Sequence, residues 1–153
     1  MIGLPGETRA DVMATIQLMA KAIPGRYRWS FFFPFPGTKA YEISQTGNYI
    51  DSEKMARMEN FTDGSCLNFV REHNLFLKKV GRIMPWFVNA ESEGPVADIY
   101  RRNVDEILAL HEQEWEIRSR NIIEEDAEIY RRFSTEGLTH ERTTYNQFQG
   151  YIP

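Results

Sequence analysis

Residues 1–11 read MIGLPGETRAD, and this stretch sets the fold expected for the first part of the chain. Two glycines and a proline make a turn of the kind that follows a β-strand, and Thr8 and Asp11 have the spacing of a capping box. Apolar residues then recur at helical spacing, namely Val12, Ile16, Met19 and Ile23. We therefore expect a strand end, a glycine turn and an amphipathic helix with one buried stripe.

The segment after this helix reads RYRWSFFFPFPGTKAYE at residues 26–42. Aromatic and polar residues alternate from Tyr27, which predicts a strand, and Pro34 and Pro36 predict a rigid turn after it. Turn, helix, strand and turn make most of a βαβ unit, in which ligands bind at the C-terminal ends of the strands. The aromatic cluster FFFPFP is either a plug in the core or a stacking wall for a flat ligand, and the residues alone leave both interpretations open.

The remainder of the chain is predicted to be mainly helical. A short helix is expected from Lys39 to about Thr46, followed by helical patterns over 51–58, 68–84 and 95–133. Pro85 and residues 91–94 should separate the later helices, and an irregular tail should begin at about residue 134. The expected organisation is one unit at 1–46 and a helical C-terminal extension at 47–153.

Charge, hydropathy and the cysteine and histidine content exclude several classes of function. The net charge of −4 is spread along the chain without a basic stripe, so no nucleic-acid partner is expected. No run approaches the roughly 18 apolar residues of a membrane span, and no signal peptide is visible, so a cytoplasmic protein without membrane contact is expected. Cys66 is the single cysteine and is expected to be a buried thiol, while the three histidines lack the clustering of a metal site. These histidines are His73, His111, which falls on a predicted buried stripe, and His140.

Glu7 limits what the opening turn could bind. Amides at a helix start attract anions, but the phosphate-loop pattern GxxxxGK[ST] is absent and the Glu7 carboxylate would repel a phosphate. A ribose hydroxyl, an adenine edge or an ammonium group is electrostatically compatible with it. A purely structural turn, with Glu7 capping its helix, is the alternative.

IGLPGET, a helix and then SFFFPFPGTKAYE together resemble the later part of radical S-adenosylmethionine (SAM) enzymes, most closely the branch that carries a cobalamin-binding domain. In that family a G-x-P-G-E-[TS] turn closes the fifth barrel strand, and the sixth strand ends in P-[FYW]-P-G-T before a helical region. The resemblance covers Met1 to about Glu42. It implies an α/β fold class: the last βα units of a partial TIM-type barrel, then a mainly α-helical C-terminal region.

The resemblance also implies site residues, cofactors and a partner. It places Ile2 and Leu4, with the backbone of Gly3, Pro5 and Gly6, near the SAM adenine and ribose, and gives Glu7 the role of a brace. Phe33, Pro34 and Phe35 would line either the adenine side or the substrate mouth. The family uses SAM and a [4Fe-4S] cluster, with cobalamin possible, but its CxxxCxxC loop is absent and one cysteine cannot replace three thiolates. We expect a C-terminal fragment that is inactive alone and whose partner is the missing N-terminal part of the enzyme. The parent would cleave SAM reductively and act on an unknown substrate, with methyl transfer or rearrangement if cobalamin is used.

Two other functions are compatible with the sequence. The chain could be a stand-alone helical protein-interaction module without enzymatic activity, with a long 95–133 helix as its docking surface. It could also be an intact domain that binds adenosine-like ligands without redox chemistry.

Overall fold

The computed structural model describes residues 1–22, 24–57, 64–138, 144–146 and 149–151. Ile23 and His140, for which the sequence made predictions, lie outside the described residues. The described elements are α1 (Arg9–Ala22), β1 (Arg26–Arg28), α2 (Lys39–Thr46), α3 (Ser52–Arg57), α4 (Arg71–Ala90), α5 (Pro95–Ala109), α6 (Glu112–Ser119), α7 (Ile122–Glu136), β2 (Thr144–Asn146) and β3 (Gln149–Tyr151).

The α/β fold class predicted from the sequence is wrong. Helices dominate the described residues, and the three short strands form an antiparallel sheet in the order β1-β3-β2. Arg26 lies opposite Tyr151, so β1 pairs with a strand near the far end of the chain. A TIM-type barrel is built from successive parallel strands. Within the described ranges, parallel pairing is confined to a single bridge between Ile2 and Phe31.

The predicted first helix is confirmed as α1. The Thr8 N–H donates to Asp11 Oδ2 at 2.8 Å, and the Asp11 N–H donates back to Thr8 Oγ1 at 3.2 Å, which completes the capping box. Val12 and Ile16 are fully buried, and the helix packs against α4. A local signal and a burial stripe therefore suffice to define this element.

Helix α4 is the centre of the fold and contacts α1, α5, α6 and the sheet. It was predicted to end before Pro85, but it continues to Ala90 with a kink at Ile83 (φ −129°, ψ 35°). Proline has no N–H and crowds the carbonyl four residues earlier, which here belongs to Gly81. The Trp29 indole donates to that carbonyl at 2.7 Å, so a distant side chain replaces the missing helical hydrogen bond.

The single helix predicted over residues 95–133 is wrong, since the chain forms α5, α6 and α7 there. Lys79 Nζ donates to the carbonyls of Leu108 and Leu110 at 3.2 and 2.6 Å, at the end of α5. Arg82 donates to the Ser119 carbonyl at 3.3 Å, at the end of α6. Two cations on α4 thus satisfy carbonyls that a helix end leaves without partners.

His111 was predicted on a buried stripe, but it is exposed and precedes α6. Its backbone N–H donates to Glu114 Oε2 at 2.8 Å, as at the start of a helix. The continuous docking helix required by the interaction-module hypothesis is therefore not formed.

One apolar core takes residues from both sides of Thr46. On α4 its largest fully buried side chains are Trp86 and Phe87, which pack with Ile2, Ile16 and Tyr100. The aromatic ring of Phe31 lies over Gly81, where an added Cβ would be 2.3 Å from Phe31 Cζ. A smaller cluster of Phe32, Cys66 and Leu67 supports α2 and the segment after it.

Candidate functional site

The opening turn is held by its own carboxylate. Gly3 and Gly6 have φ values of +79° and +78°, in the left-handed region that glycine adopts without strain. Glu7 Oε2 accepts a short hydrogen bond from the Gly3 N–H and a second bond, at 3.3 Å, from the Leu4 N–H. The turn therefore satisfies two of its own amides, and these amides are not available to a phosphate.

The parallel bridge brings the two sequence motifs side by side. The Ile2 N–H donates to the Ser30 carbonyl at 3.1 Å, and the Phe32 N–H donates to the Ile2 carbonyl at 2.8 Å. Because the two segments run in the same direction, the turns that follow them leave the same edge of the pair. One turn is residues 3–7 and the other is residues 33–38.

A cleft of about 530 Å³ opens between the opening turn and α2. Thr38 begins α2, since its hydroxyl accepts the Tyr41 N–H at 3.2 Å. Lys39 and Glu42 form an ion pair of 2.8 Å on the cleft side of this helix. The lining residues are Pro5, Gly6, Lys39, Glu42, Ile43, Thr46, Gly47 and Tyr49.

The predicted site residues of the opening segment divide into three groups. Pro5 and Gly6 line the cleft, while Gly3, Leu4 and Glu7 form the hydrogen-bonded turn beside it. Ile2 is 1% exposed and belongs to the core.

The aromatic turn contributes a separate surface. The Phe33 and Phe35 rings lie 5.0 Å apart, centroid to centroid, and 53% of Phe35 is exposed, whereas Pro34 is buried. Neither ring lines the cleft. The structure thus pairs the two motifs along the backbone without enclosing their side chains in one pocket.

Sequence reasoning missed the contribution of α2 to the cleft. Lys39, Glu42, Ile43 and Thr46 fall at helical spacings of three or four after the Thr38 cap and therefore share one face. Tyr49 follows the helix, and its hydroxyl lies 3.9 Å from the position that a Cβ on Gly6 would occupy. The cap and the spacing together would have identified this face.

Two titratable groups lie close to the opening turn, the half-buried His73 and the fully buried Cys66. His73 Nε2 is buried and has no hydrogen-bond partner in the described part of the chain, and burial lowers the pKa of this imidazole while the charge of Glu7 opposes that shift. Burial raises the pKa of the Cys66 thiol, whose Sγ lies 3.8 Å from the Phe32 carbonyl oxygen. Both groups are held in uncharged forms at neutral pH.

The residues of this chain do not fit a [4Fe-4S] cluster. Such a cluster needs several thiolates, whereas the sequence has one cysteine and its thiol is buried and protonated. Across the described ranges, no group of three or more histidine, cysteine, aspartate or glutamate side chains could hold a metal ion.

None of the described helices is both long and apolar enough to cross a bilayer. No protein-family model matches the chain, and no solved structure matches it. A functional assignment therefore rests on the residues and their geometry.

Proposed function

We propose that this chain forms the C-terminal part of a radical SAM enzyme and that its two motif turns contact the adenosyl half of SAM. The observation that carries the proposal is the parallel bridge between Ile2 and Phe31, because it lets both turns leave one edge of the pair. Ligands of parallel strands commonly bind beyond the carboxyl ends of those strands. The sequence resemblance suggests the ligand, and the shared edge supports the proposal because it is compatible with a ligand that contacts both turns.

The hydrogen bonds of Glu7 favour a nucleoside over a phosphate at this edge. Both amide bonds go to Oε2, so within the described residues Oε1 is left as an acceptor for a hydroxyl or an ammonium group. A phosphate would meet a carboxylate instead of free amides. SAM carries ribose hydroxyls and a positively charged methionyl sulfonium, and both are compatible with a carboxylate.

The aromatic pair supports the adenine half of the proposal. Phe35 presents a largely exposed ring beside Phe33, and flat heterocycles stack on such surfaces. The cleft next to Gly6 has a volume within the range of small-molecule sites, about 300–1,000 Å³. We assign binding roles to Gly6, Phe33 and Phe35, while Glu7 braces the turn through Oε2 and offers Oε1 as an acceptor to the ligand.

The proposal gives this chain no redox role. The cluster would supply the electron for SAM cleavage, and its ligands are absent here, so the isolated chain is expected to be inactive. Cluster ligands, and cobalamin if it is used, would come from the N-terminal part of the enzyme. We expect the complete enzyme to work in the cytoplasm.

The first test is the reading frame upstream of Met1. A continuous frame that encodes CxxxCxxC supports the proposal, and the encoded protein should develop iron-sulfur absorbance and release 5'-deoxyadenosine when it is reduced with SAM under anaerobic conditions. Unrelated upstream sequence behind a functional start signal would refute it.

The second test is a matched pair of glycine substitutions in that full-length protein. Gly6 and Gly137 both have positive φ values, +78° and +74°, so alanine imposes similar backbone strain at both positions. Among the described residues, an added Cβ would meet only the Tyr49 hydroxyl, at 3.9 Å, at Gly6 and no atom within 4 Å at Gly137. Gly6→Ala adds a methyl group to the cleft and should raise the KM for SAM about tenfold, or about 1.4 kcal/mol. Gly137→Ala should leave the KM unchanged, and an equal effect of the two substitutions would argue against a SAM contact at Gly6.

A further inference from the structure

A second cleft, of about 400 Å³, lies among α3, residues 64–70, the first turns of α4 and the start of α6. Among the described residues, three cationic side chains and one carboxylate line it, together with the buried hydroxyl of Ser65 and the amide of Asn74. The charged residues are Lys54, Arg71, Lys78 and Glu112. This cleft shares no residue with the cleft beside the opening turn, so its ligand is independent of the proposed function.

Among the described residues that line this cleft, the cations outnumber the carboxylates. Arg71 and Lys78 both pair with Glu112, at 2.9 and 3.2 Å, and their hydrogen bonds lower the pKa of that carboxyl, Arg71 having the larger effect. Lys54 makes no ion pair in the described part of the chain, and its ammonium donates only to the Leu67 carbonyl at 3.2 Å. Asp51 attracts Lys54 from outside the cleft, but its Oδ1 accepts the backbone N–H of Lys54 in the first turn of α3.

The polar neighbours add hydrogen-bond donors that find no acceptor among the described residues. Ser65 Oγ accepts the Leu67 N–H at 3.1 Å, which leaves its hydroxyl hydrogen to donate. Asn74 uses one amide hydrogen on the Phe69 carbonyl at 2.9 Å and keeps a second. The N-terminus of α4 carries no side-chain cap, and its dipole adds to the positive potential. The cleft therefore offers donors and positive charge, and the ring of Phe69 forms an apolar wall.

We propose that this cleft binds a small organic phosphate, with the phosphate group among Lys54, Arg71 and Lys78 and the organic part against Phe69. The three cations exceed the Glu112 carboxylate by two charges, which matches the charge of about −1.5 to −2 on a phosphate monoester at neutral pH. Three acceptor oxygens also match three cationic donors.

The test is a titration of the purified chain with phenyl phosphate, inorganic phosphate, benzoate and phenol at constant low ionic strength. Phenyl phosphate should bind saturably, more tightly than the other three, and should shift the amide resonances of residues 64–74. Absence of saturable binding up to about 10 mM would overturn the proposal. Tighter binding of benzoate, or equally tight binding of inorganic phosphate, would overturn the assignment to an organic phosphate.

Charge variants locate the site. Lys54→Met and Lys78→Met should each raise the Kd about tenfold, the loss expected for one charge-assisted hydrogen bond. Glu112→Gln should lower the Kd about threefold, since it removes the carboxylate that competes with the ligand. Lys39→Met, in the other cleft, should leave the Kd unchanged. If circular dichroism shows that Lys54→Met does not fold, Lys78→Met and Glu112→Gln decide. A Kd for phenyl phosphate that is unchanged or raised in Glu112→Gln overturns the proposal.

Discussion

Replacing Trp29 with phenylalanine should destabilise the protein through Gly81, which is 52 residues away in sequence. The indole Nε1 donates to the Gly81 carbonyl at 2.7 Å inside the core. Pro85 cannot donate to that carbonyl because it has no N–H. Loss of the indole therefore leaves a buried acceptor without its donor, which costs about 1–3 kcal/mol in the free energy of unfolding.

Shrinking the side chain adds a cavity penalty that must be separated from the hydrogen bond. Pro85→Ala achieves this, because an alanine N–H can donate to the Gly81 carbonyl in the ordinary helical way. Trp29→Phe should then lower the free energy of unfolding by about 1–2 kcal/mol less in the Pro85→Ala background than in the native chain. The cavity penalty is the same in both backgrounds. The sign of this coupling follows directly from the missing N–H of Pro85.

The four proteins of this double-mutant cycle can be compared by urea unfolding followed by circular dichroism. Equal m-values are needed before the free energies are compared. Trp115 provides the control, because it is also buried but its indole makes no hydrogen bond within the described ranges. Trp115→Phe should cost the same in both backgrounds. If the costs of Trp29→Phe in the two backgrounds agree within about 0.3 kcal/mol, the missing N–H of Pro85 does not determine the cost of losing the indole hydrogen bond.

Three further substitutions test single contacts. Lys79→Met removes the ammonium that donates to two carbonyls at the end of α5. Urea unfolding should show that the free energy of unfolding falls by about 1.5–3 kcal/mol. A decrease below about 0.5 kcal/mol would contradict this capping role. Gly81→Ala places a Cβ 2.3 Å from Phe31 Cζ. We therefore expect overpacking to lower the free energy of unfolding by about 1–3 kcal/mol, although alanine is the better helix former. Gly25→Ala, where no atom lies within 4 Å, is its control. Burial lowers the pKa of His73, so the unfolded chain binds the proton first as the pH falls below about 6.5. The free energy of unfolding should decrease through that range and level off below the pKa of the folded state, and His73→Phe should remove this part of the pH dependence in unfolding curves measured at several pH values.

Local signals predicted the first helix well. The Thr8 and Asp11 spacing identified its start, and Val12 and Ile16 identified the buried stripe, because both depend on residues within one or two turns. The glycine turn before it was also predicted from its own residues. Its two positive φ values are conformations that Gly3 and Gly6 adopt freely.

The sheet could not be predicted in the same way. Alternation at residues 27–33 indicates an extended segment but contains no information about its partner. Only Arg26–Arg28 forms a strand, and its partner Gln149–Tyr151 lies in the tail that was expected to be irregular. The family resemblance supplied a parallel barrel instead, and the actual pairing is antiparallel and joins distant parts of the chain.

The sequence did not predict the ends of α5 and α6, where the capping cation comes from another helix. Neither Leu110 nor Arg120 is a helix breaker, so the 95–133 pattern gave no reason to divide it. The carbonyls at the end of α5 accept hydrogen bonds from Lys79, and Arg101 of α5 donates in turn to the Ala90 carbonyl at 2.8 Å, at the end of α4. Each of the two helices, α4 and α5, thus donates a side-chain hydrogen bond to carbonyls at the C-terminal end of the other, and neither of these bonds involves a glycine or a proline. A helix end stabilised in this way cannot be recognised from the residues next to it in the sequence.

The same limit applies to the candidate sites. Pro5 and Gly6 were found because a contiguous motif carries them, and the cleft face of α2 could have been found from its spacing. The cation-lined cleft was beyond local reasoning, because Lys54, Arg71 and Glu112 begin or lie within three different helices. Along the sequence Lys54 and Arg71 each stand beside a residue of opposite charge and resemble a solvated surface. The packing of α3, α4 and α6 brings Lys54, Arg71 and Lys78 into one cleft with the Glu112 carboxylate, and this excess of positive charge is the basis of the phosphate proposal.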